Sequence, residues 1–410
     1  MNSKKLIIAF TFTTLLILSF LFGFMSYRNQ NFAYGLIAKV YYFFELQKPN
    51  LNKQGYQEIK TYLENHEFIN YQKLYAKEIY DSIKENPVSF REEILKKAIL
   101  PKKIVTIKIV GLNDNHKLQE LIPKNVFKSL DNKFLISTKY YGIKHFGILE
   151  KENNKKLFIF NGGHGESKNP LEYKKFIKLK QELKNNGFDI LSLSMSGYGY
   201  NVFQDKNMSF PVNQNSNIYS NSLNKSFDYP VFGKKRFSHF IYQHFFDDNY
   251  PEKYPISLML SGNYYIIKKI ENNYDEIVMA GLSGGAWQTT MISSLLPKIK
   301  HSYSFAGSLP VAYRKLEHIP HPVESINSKF WQEYDFWHFY FLSLFDEKGF
   351  QNREHNLIYG AKDRCCFFPP HSPSFSKVAD MVSADGLDVF ILEKNDHNID
   401  VEFLKGKIIN

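Results

Sequence analysis

The feature that most constrains this chain is a serine enclosed by glycines, in the run Gly281-Leu282-Ser283-Gly284-Gly285. A strand-like run, residues 276–280, leads into it, and a helix-like run, residues 286–296, leads out of it. Glycines on both sides keep Cβ atoms away from the backbone of a sharp turn. The amino terminus of the helix then lies behind the hydroxyl, where free N–H groups favour negative charge. The pattern predicts that Ser283 is a nucleophile on a strand–turn–helix, and an ordinary glycine-rich turn is the alternative.

Two downstream segments supply the partners that a serine nucleophile needs. Strand-like residues 356–360 precede Asp363, and strand-like residues 387–392 precede His397. A serine hydroxyl attacks well only when an imidazole takes its proton and a carboxylate orients that imidazole. Open α/β sheets bind ligands at the carboxyl ends of their strands, so we assign these roles to Asp363 and His397. The other candidates are His355 and His371 for the base, and Asp385, Asp388 and Asp396 for the acid.

Upstream, a glycine-rich loop follows another predicted strand. Residues 156–160 are strand-like, and Asn161-Gly162-Gly163-His164-Gly165 comes next. Glycines allow the backbone to approach a substrate carbonyl closely. A backbone N–H from Gly163 or His164, together with that of Gly284, would form an oxyanion hole. A plain glycine turn before a helix is the alternative.

These segments together resemble the α/β-hydrolase superfamily over roughly residues 102–406. The chain order Ser, Asp, His is the order of that family. Asn161 stands where the family often has His. Residues 189–193, followed by Ser194-Met195-Ser196-Gly197-Tyr198-Gly199, resemble the family's fourth strand and the D-x-x-G-x-G loop after it, with Ser194 in place of Asp.

The resemblance implies an α/β-hydrolase fold, with a mostly parallel sheet, helices on both faces and a cap insertion. It implies a serine esterase that acts through Ser283, Asp363 and His397, without a cofactor or a metal. An acylated glycan or lipid of the cell envelope is the substrate class we expect. A peptidase or an acyltransferase on the same three residues is the first alternative, and an inactive hydrolase fold used for binding is the second.

Composition limits the partners of the chain. The formal net charge is +11, and nearly all the basic residues are lysine. This charge permits attraction to anionic surfaces, but no nucleic-acid-binding motif is present, so we expect no nucleic-acid partner. CxxC and HExxH patterns are absent, so no metal site is predicted. The two cysteines, Cys365 and Cys366, are adjacent, and they form either a vicinal disulfide in an oxidising compartment or a pair of free thiols.

The amino terminus predicts membrane attachment. Residues 6–25 form an uncharged, apolar run that is long enough to cross a bilayer. Lys4 and Lys5 precede it, which favours a cytoplasmic amino terminus and a body outside the cytoplasm. No small-x-small cleavage site follows the run, so we predict an uncleaved signal anchor rather than a cleaved signal peptide.

The remaining sequence divides into three predicted regions. Residues 1–28 are the anchor, residues 29–100 a helical spacer or packing segment, and residues 101–410 the catalytic domain. Two insertions, at about 200–250 and 307–354, interrupt the alternation of strands and helices. The second contains the aromatic run 336–341, which either lines an acyl or glycan pocket or packs as an ordinary helix.

Overall fold

The computed structural model describes residues 60–111, 132–140, 143–163, 174–195, 255–313, 329–363, 367 and 371–409. Within these residues the chain forms a nine-stranded sheet. The strands in chain order are β1 (Thr106–Gly111), β2 (Lys133–Tyr140), β3 (Ile143–Glu150), β4 (Lys156–Gly162), β5 (Phe188–Ser194), β6 (Glu276–Leu282), β7 (Ile299–Phe305), β8 (Glu354–Gly360) and β9 (Leu387–Leu392).

The strand order of the sheet is β1-β2-β3-β5-β4-β6-β7-β8-β9. Strands β1 to β3 are antiparallel to their neighbours, and β3 pairs antiparallel with β5. Strands β4 to β9 all run parallel. The carboxyl ends of these six strands therefore meet at one edge of the sheet, which is where open α/β sheets place their ligands.

Helices cover both faces of the sheet, as the sequence predicts. They are α1 (His66–Glu85), α2 (Pro87–Ala98), α3 (Lys174–Asn185), α4 (Pro255–Ile270), α5 (Gly284–Leu295), α6 (Lys329–Glu333), α7 (Phe336–Leu342), α8 (His371–Val382) and α9 (Val401–Ile408). Alternate residues of β4 show that both faces of the strand are buried. Phe158 and Phe160 pack with α3 and α9 in one buried cluster, while Leu157, Ile159 and Asn161 are also fully buried and face the side on which α5 lies. Strands buried on both faces are typical of parallel sheets.

Residues 60–98 include two helices, α1 and α2, that pack against other helices of the described chain. Asn86 separates them, because its side chain accepts a hydrogen bond from Ser89 N and Pro87 begins α2. Helix α1 packs on α7 and α8, and α2 packs on α4 and α5. The aromatic run of α7 is largely buried: Phe336, Trp337, Phe339, Tyr340 and Phe341 are at most 1% exposed. This burial favours the packing interpretation of the aromatic run over a pocket lining.

Strand β3 is not among the strands predicted from the sequence. Several predictions lie outside the described residues: the membrane anchor at 1–28, the insertion at about 200–250, and the pair Cys365 and Cys366. Within the part of the chain that the structure describes, no helix is both long and apolar enough to span a bilayer.

Candidate active site

Ser283 occupies a sharp turn between β6 and α5. Its backbone has φ 55° and ψ −125°, a region that non-glycine residues rarely adopt and that costs about 1–3 kcal/mol. Its N–H donates to Phe305 O at 2.9 Å, and its carbonyl accepts from Trp287 N at 2.9 Å. Hydrogen bonds on both sides therefore hold the serine in this conformation, and strained residues of this kind concentrate at functional sites.

The glycines of the motif are required by close backbone contacts. A Cβ atom on Gly281 would lie 2.5 Å from Gly285 O, and one on Gly285 would lie 2.1 Å from Asn161 O. Both distances are far inside van der Waals contact. The spacing of the motif therefore follows from the path of the turn, which brings the end of β6 and the start of α5 against the end of β4.

The predicted oxyanion loop lies against this turn. A Cβ atom on Gly163 would lie 2.6 Å from Leu282 O and 3.2 Å from the Cβ of Ser283. Gly284 is the first residue of α5, so its N–H is one of those without a partner inside the helix. Gly163 and Gly284 are therefore both next to Ser283. His164, the other candidate donor of this loop, lies outside the described residues.

Asp363 and His397 form a hydrogen-bonded pair at the same edge of the sheet. The distance from His397 Nδ1 to Asp363 Oδ2 is 2.8 Å, with the Asp363 side chain fully buried and that of His397 24% exposed. The two loops that carry them are joined by backbone hydrogen bonds from Ala361 N to Leu392 O and from Lys362 N to Asn395 O. A rigid, buried carboxylate on Nδ1 leaves Nε2 as the nitrogen available for proton transfer.

The other candidates for acid and base lie elsewhere. His355 is fully buried in β8, its Nδ1 is 2.6 Å from Ser302 Oγ, and burial lowers its pKa to about 3. His371 begins α8 and is buried. Asp385, Asp388 and Asp396 are exposed, and Asp396 accepts a hydrogen bond from Asn398.

Ser283, Asp363 and His397 lie at the same edge of the sheet, but not all of them are hydrogen-bonded to one another. Among the described residues, no hydrogen bond joins Ser283 Oγ to His397. Catalytic hydrogen bonds are often long without substrate and tighten when it binds. The ring of Phe367 stacks on His397, with centroids 6.3 Å apart and an interplanar angle of 6°. The sequence alone does not predict a role for Phe367, because nothing in the local pattern distinguishes it from other aromatic residues.

Gln288 is a second residue near the site that the sequence alone does not predict. It lies in α5 and is fully buried, as is Asn161, whose Nδ2 donates to Gln288 Oε1 at 3.0 Å. The position that often holds His in the resembled family therefore directs its side chain to Gln288. The only local signal is a glutamine in a helix that carries no charged residue. Within the described residues, no cluster of His, Cys, Asp and Glu has the arrangement of a metal site.

The mostly parallel sheet and the sharp turn at Ser283 after β6 fit the α/β-hydrolase fold. No family model matches the sequence, and no curated protein matches it.

Several solved structures are similar to this chain at low sequence identity. An acetyl xylan esterase from Thermoanaerobacterium sp. is 14% identical, covering 79% of this chain and 92% of its own, with a TM-score of 0.44. An acetyl xylan esterase from Paenibacillus sp. R4 is 12% identical, covering 80% of this chain and 92% of its own, with a TM-score of 0.39. Est1E from Butyrivibrio proteoclasticus is 15% identical, covering 67% of this chain and 95% of its own, with a TM-score of 0.35.

Proposed function

We propose that this protein is a serine hydrolase that cleaves carboxylic esters. The observation that carries the proposal is the backbone of Ser283, held at φ 55° between a parallel strand and a buried helix. Two further observations support it. Asp363 and His397 are hydrogen-bonded at the same edge of the sheet, and Gly163 and Gly284 lie next to the serine. A strained serine, an oriented imidazole and free N–H groups are the parts that acyl transfer needs.

In the proposed reaction, Ser283 Oγ attacks the acyl carbonyl carbon while His397 Nε2 takes the hydroxyl proton. Asp363 accepts the Nδ1–H of His397, which holds the tautomer and stabilises the imidazolium. The carbonyl oxygen becomes an oxyanion that accepts hydrogen bonds from the N–H groups of Gly284 and of the loop at 163–164. Collapse of this intermediate breaks the bond to the alcohol, which leaves with the proton from His397.

The second half of the reaction releases the acid. Water attacks the acyl-enzyme carbonyl and gives a proton to His397 Nε2. The second tetrahedral intermediate then collapses, the acid leaves and the proton returns to Ser283 Oγ. The net change is one ester and one water converted to an acid and an alcohol, with the enzyme restored and no cofactor needed.

Labelling by a fluorophosphonate probe tests the proposal directly. The purified protein should incorporate one probe per chain at Ser283, and hydrolysis of p-nitrophenyl acetate should disappear in step with labelling. Ser283→Ala should abolish both. A protein that neither labels nor hydrolyses the ester, while folded, would instead be an inactive fold used for binding. Comparison of aryl esters, peptides and acylated glycans, with and without an acceptor alcohol, separates an esterase from a peptidase or an acyltransferase.

We further propose that the enzyme acts outside the cytoplasm, anchored by residues 6–25, on acylated envelope glycans or lipids. The support comes from the sequence, namely an apolar run preceded by Lys4 and Lys5. Carboxyl-terminal fusions to reporters that are active only inside or only outside the cytoplasm test the topology. Activity of the cytoplasmic reporter would contradict it, and a mature amino terminus near residue 27 would contradict the anchor.

A further inference from the structure

A buried network of side-chain amides lies beneath the proposed oxyanion hole. Gln288 Oε1 accepts from Asn161 Nδ2 at 3.0 Å and from Asn263 Nδ2 at 2.8 Å. Asn263 Nδ2 also donates to Ser194 O at 3.0 Å, and Gln288 Nε2 donates to Met259 O at 3.0 Å. The three amide side chains are each 0% exposed.

The partners of this network determine which way each amide faces. The carbonyl oxygens of Met259 and Ser194 only accept hydrogen bonds, so the nitrogens of Gln288 and Asn263 must face them. Gln288 then has only its oxygen left for the two asparagines, and both must present nitrogen to it. The network therefore has one consistent arrangement, and Gln288 Oε1 is its central acceptor.

The network joins the elements that carry the proposed oxyanion donors. Asn161 is the next-to-last residue of strand β4, just before Gly162 and Gly163, and Gln288 lies in α5, whose first residue is Gly284. The backbones of these two elements touch above the network, because a Cβ atom on Gly285 would lie 2.1 Å from Asn161 O and 2.6 Å from Gly162 O. No side chain fits between them at that point, and the hydrogen bond from Asn161 Nδ2 to Gln288 Oε1 joins the same two elements through their side chains.

We infer that Gln288 is a positioning residue of the active site. It holds Asn161 and the start of α5 together, so that the N–H groups of Gly163 and of Gly284 converge on one oxyanion. This inference rests on the proposed function. Donors to an oxyanion act through their placement before the reaction, and a shift of about 1 Å can cost about a hundredfold in rate. Gln288 is 0% exposed and all its hydrogen bonds are to protein groups, so its loss should lower kcat and leave KM nearly unchanged.

The first test replaces Gln288 with leucine, which has neither the acceptor nor the donor. We expect kcat, counted per serine labelled by fluorophosphonate, to fall about 10- to 100-fold, with KM for p-nitrophenyl acetate within about threefold of wild type. Gln72→Leu is the matched control, because Gln72 is also a buried glutamine on a helix, 2% exposed, and lies outside the network. Its kcat per labelled serine should stay within about twofold of wild type.

The second test uses Gln288→Glu and does not depend on the leucine variant folding. A protonated glutamate keeps one acceptor oxygen and donates through its hydroxyl to Met259 O, so it should rescue most of the activity. Burial raises the pKa of a carboxyl, and ionisation then removes the donor and places a negative charge below the oxyanion. We expect the ratio of variant to wild-type kcat to fall about tenfold between pH 6.5 and 9.

The outcomes of the two tests separate this inference from the proposed function. A Gln288→Leu enzyme whose kcat per labelled serine stays within about twofold of wild type overturns the positioning role. A ratio of Gln288→Glu to wild-type kcat that does not change with pH also overturns the positioning role. If Gln288 only stabilised the fold, the substitution would alter thermal stability and leave the pH dependence of kcat unchanged. Failure of the wild-type protein to label with fluorophosphonate overturns the proposed function instead.

Discussion

The two ends of helix α5 are built in opposite ways. At its amino end, backbone meets backbone through glycines, and the strained Ser283 precedes N–H groups that have no partner within the helix. At its carboxyl end, two buried arginines bind the carbonyl oxygens. Arg91 Nε donates to Ser294 O at 2.9 Å, and Arg353 Nη2 donates to Ser293 O at 2.6 Å. One end leaves its polar groups available for a ligand, and the other end uses them for packing.

The arginine end also joins distant parts of the chain. Arg91 comes from α2 and Arg353 lies just before β8, and both donate to Phe345 O. They are 4% and 2% exposed. Burial lowers the pKa of Arg91 to about 10 and that of Arg353 below its usual value. Guanidinium groups suit the negative end of a helix dipole and its unpaired carbonyls. The groups that stabilise the fold and the groups proposed for chemistry therefore lie at opposite ends of α5. Variants at each end can test this separation.

The largest effect is expected at the amino end of α5. Ser283→Ala and His397→Ala should each lower kcat by about 10⁶, since neither half of the pair works alone. The double variant should be hardly worse than Ser283→Ala. Steady-state turnover of p-nitrophenyl acetate measures this, with circular dichroism to verify folding. Losses that multiply in the double variant would show that the two residues act independently.

Asp363→Asn should cost about 10⁴ in kcat, because the amide leaves the imidazole in place but in the wrong tautomer. Asp385→Asn and Asp396→Asn serve as controls, since both side chains are exposed, and they should keep near wild-type turnover. If one of these controls lost activity while Asp363→Asn kept it, the assignment of the acid would be wrong.

Arg353→Met tests the carboxyl end of α5. The guanidinium donates to four carbonyl oxygens, those of Ser293, Leu296, Ile299 and Phe345. The substitution removes all four hydrogen bonds, although Phe345 O keeps Arg91 and Leu296 O keeps Ile299 N as a donor. The loss should lower the free energy of unfolding by about 3 kcal/mol. We expect kcat per labelled serine to stay within about threefold of wild type, and Arg353→Lys to be intermediate in stability. Urea unfolding measures the change in the free energy of unfolding. A large loss of kcat with unchanged stability would contradict the view that the carboxyl end of α5 serves the fold and not the proposed chemistry.

His355 lies under the middle of α5, with its Nε2 3.4 Å from Thr290 Oγ1. Its pKa is about 3 in the folded chain, below the value of about 6.5 for an unfolded histidine. Between these values the unfolded chain binds a proton that the folded chain does not. The contribution of His355 to the free energy of unfolding is therefore complete above pH 6.5. It decreases as the pH falls toward 3, by up to about 1.4 kcal/mol per pH unit.

The variant His355→Gln isolates this contribution. At pH 7 it should be less stable than wild type, since it alters the contact with Ser302, and the difference should narrow at pH 5. Urea midpoints at the two values give the result. An equal difference in stability between wild type and variant at pH 7 and at pH 5 would mean that His355 is not neutral in the folded protein.

The smallest effect comes from relieving the strain at the turn. Ser283→Gly and Ser283→Ala should both be inactive, but glycine adopts φ 55° without the cost that a Cβ atom imposes. We expect the glycine variant to be more stable than the alanine variant by about 1 kcal/mol in urea unfolding. Equal stability would show that the turn holds Ser283 without strain, and both ends of α5 would then favour the fold.

Local sequence determined the framework of the candidate site. The strand predicted at 276–280 and the helix at 286–296 correspond to β6 and α5, because periodicity and glycine spacing are properties of a few neighbouring residues. The ends of β8 and β9 were predictable in the same way, which placed Asp363 and His397 at the edge of the sheet.

The tertiary structure alone decided which buried polar groups meet. Arg91 and Ser294 are 203 residues apart in the sequence, and Asn161 and Gln288 are 127 apart. A lone arginine or glutamine in a helix has many possible partners, and its local pattern does not select among them. The selection depends on which faces of distant elements are packed together and on the cost of leaving a polar group unpaired in that interior. For this reason the strand–turn–helix at Ser283 could be predicted from the sequence, whereas the contacts of Gln288 and of the two arginines could not.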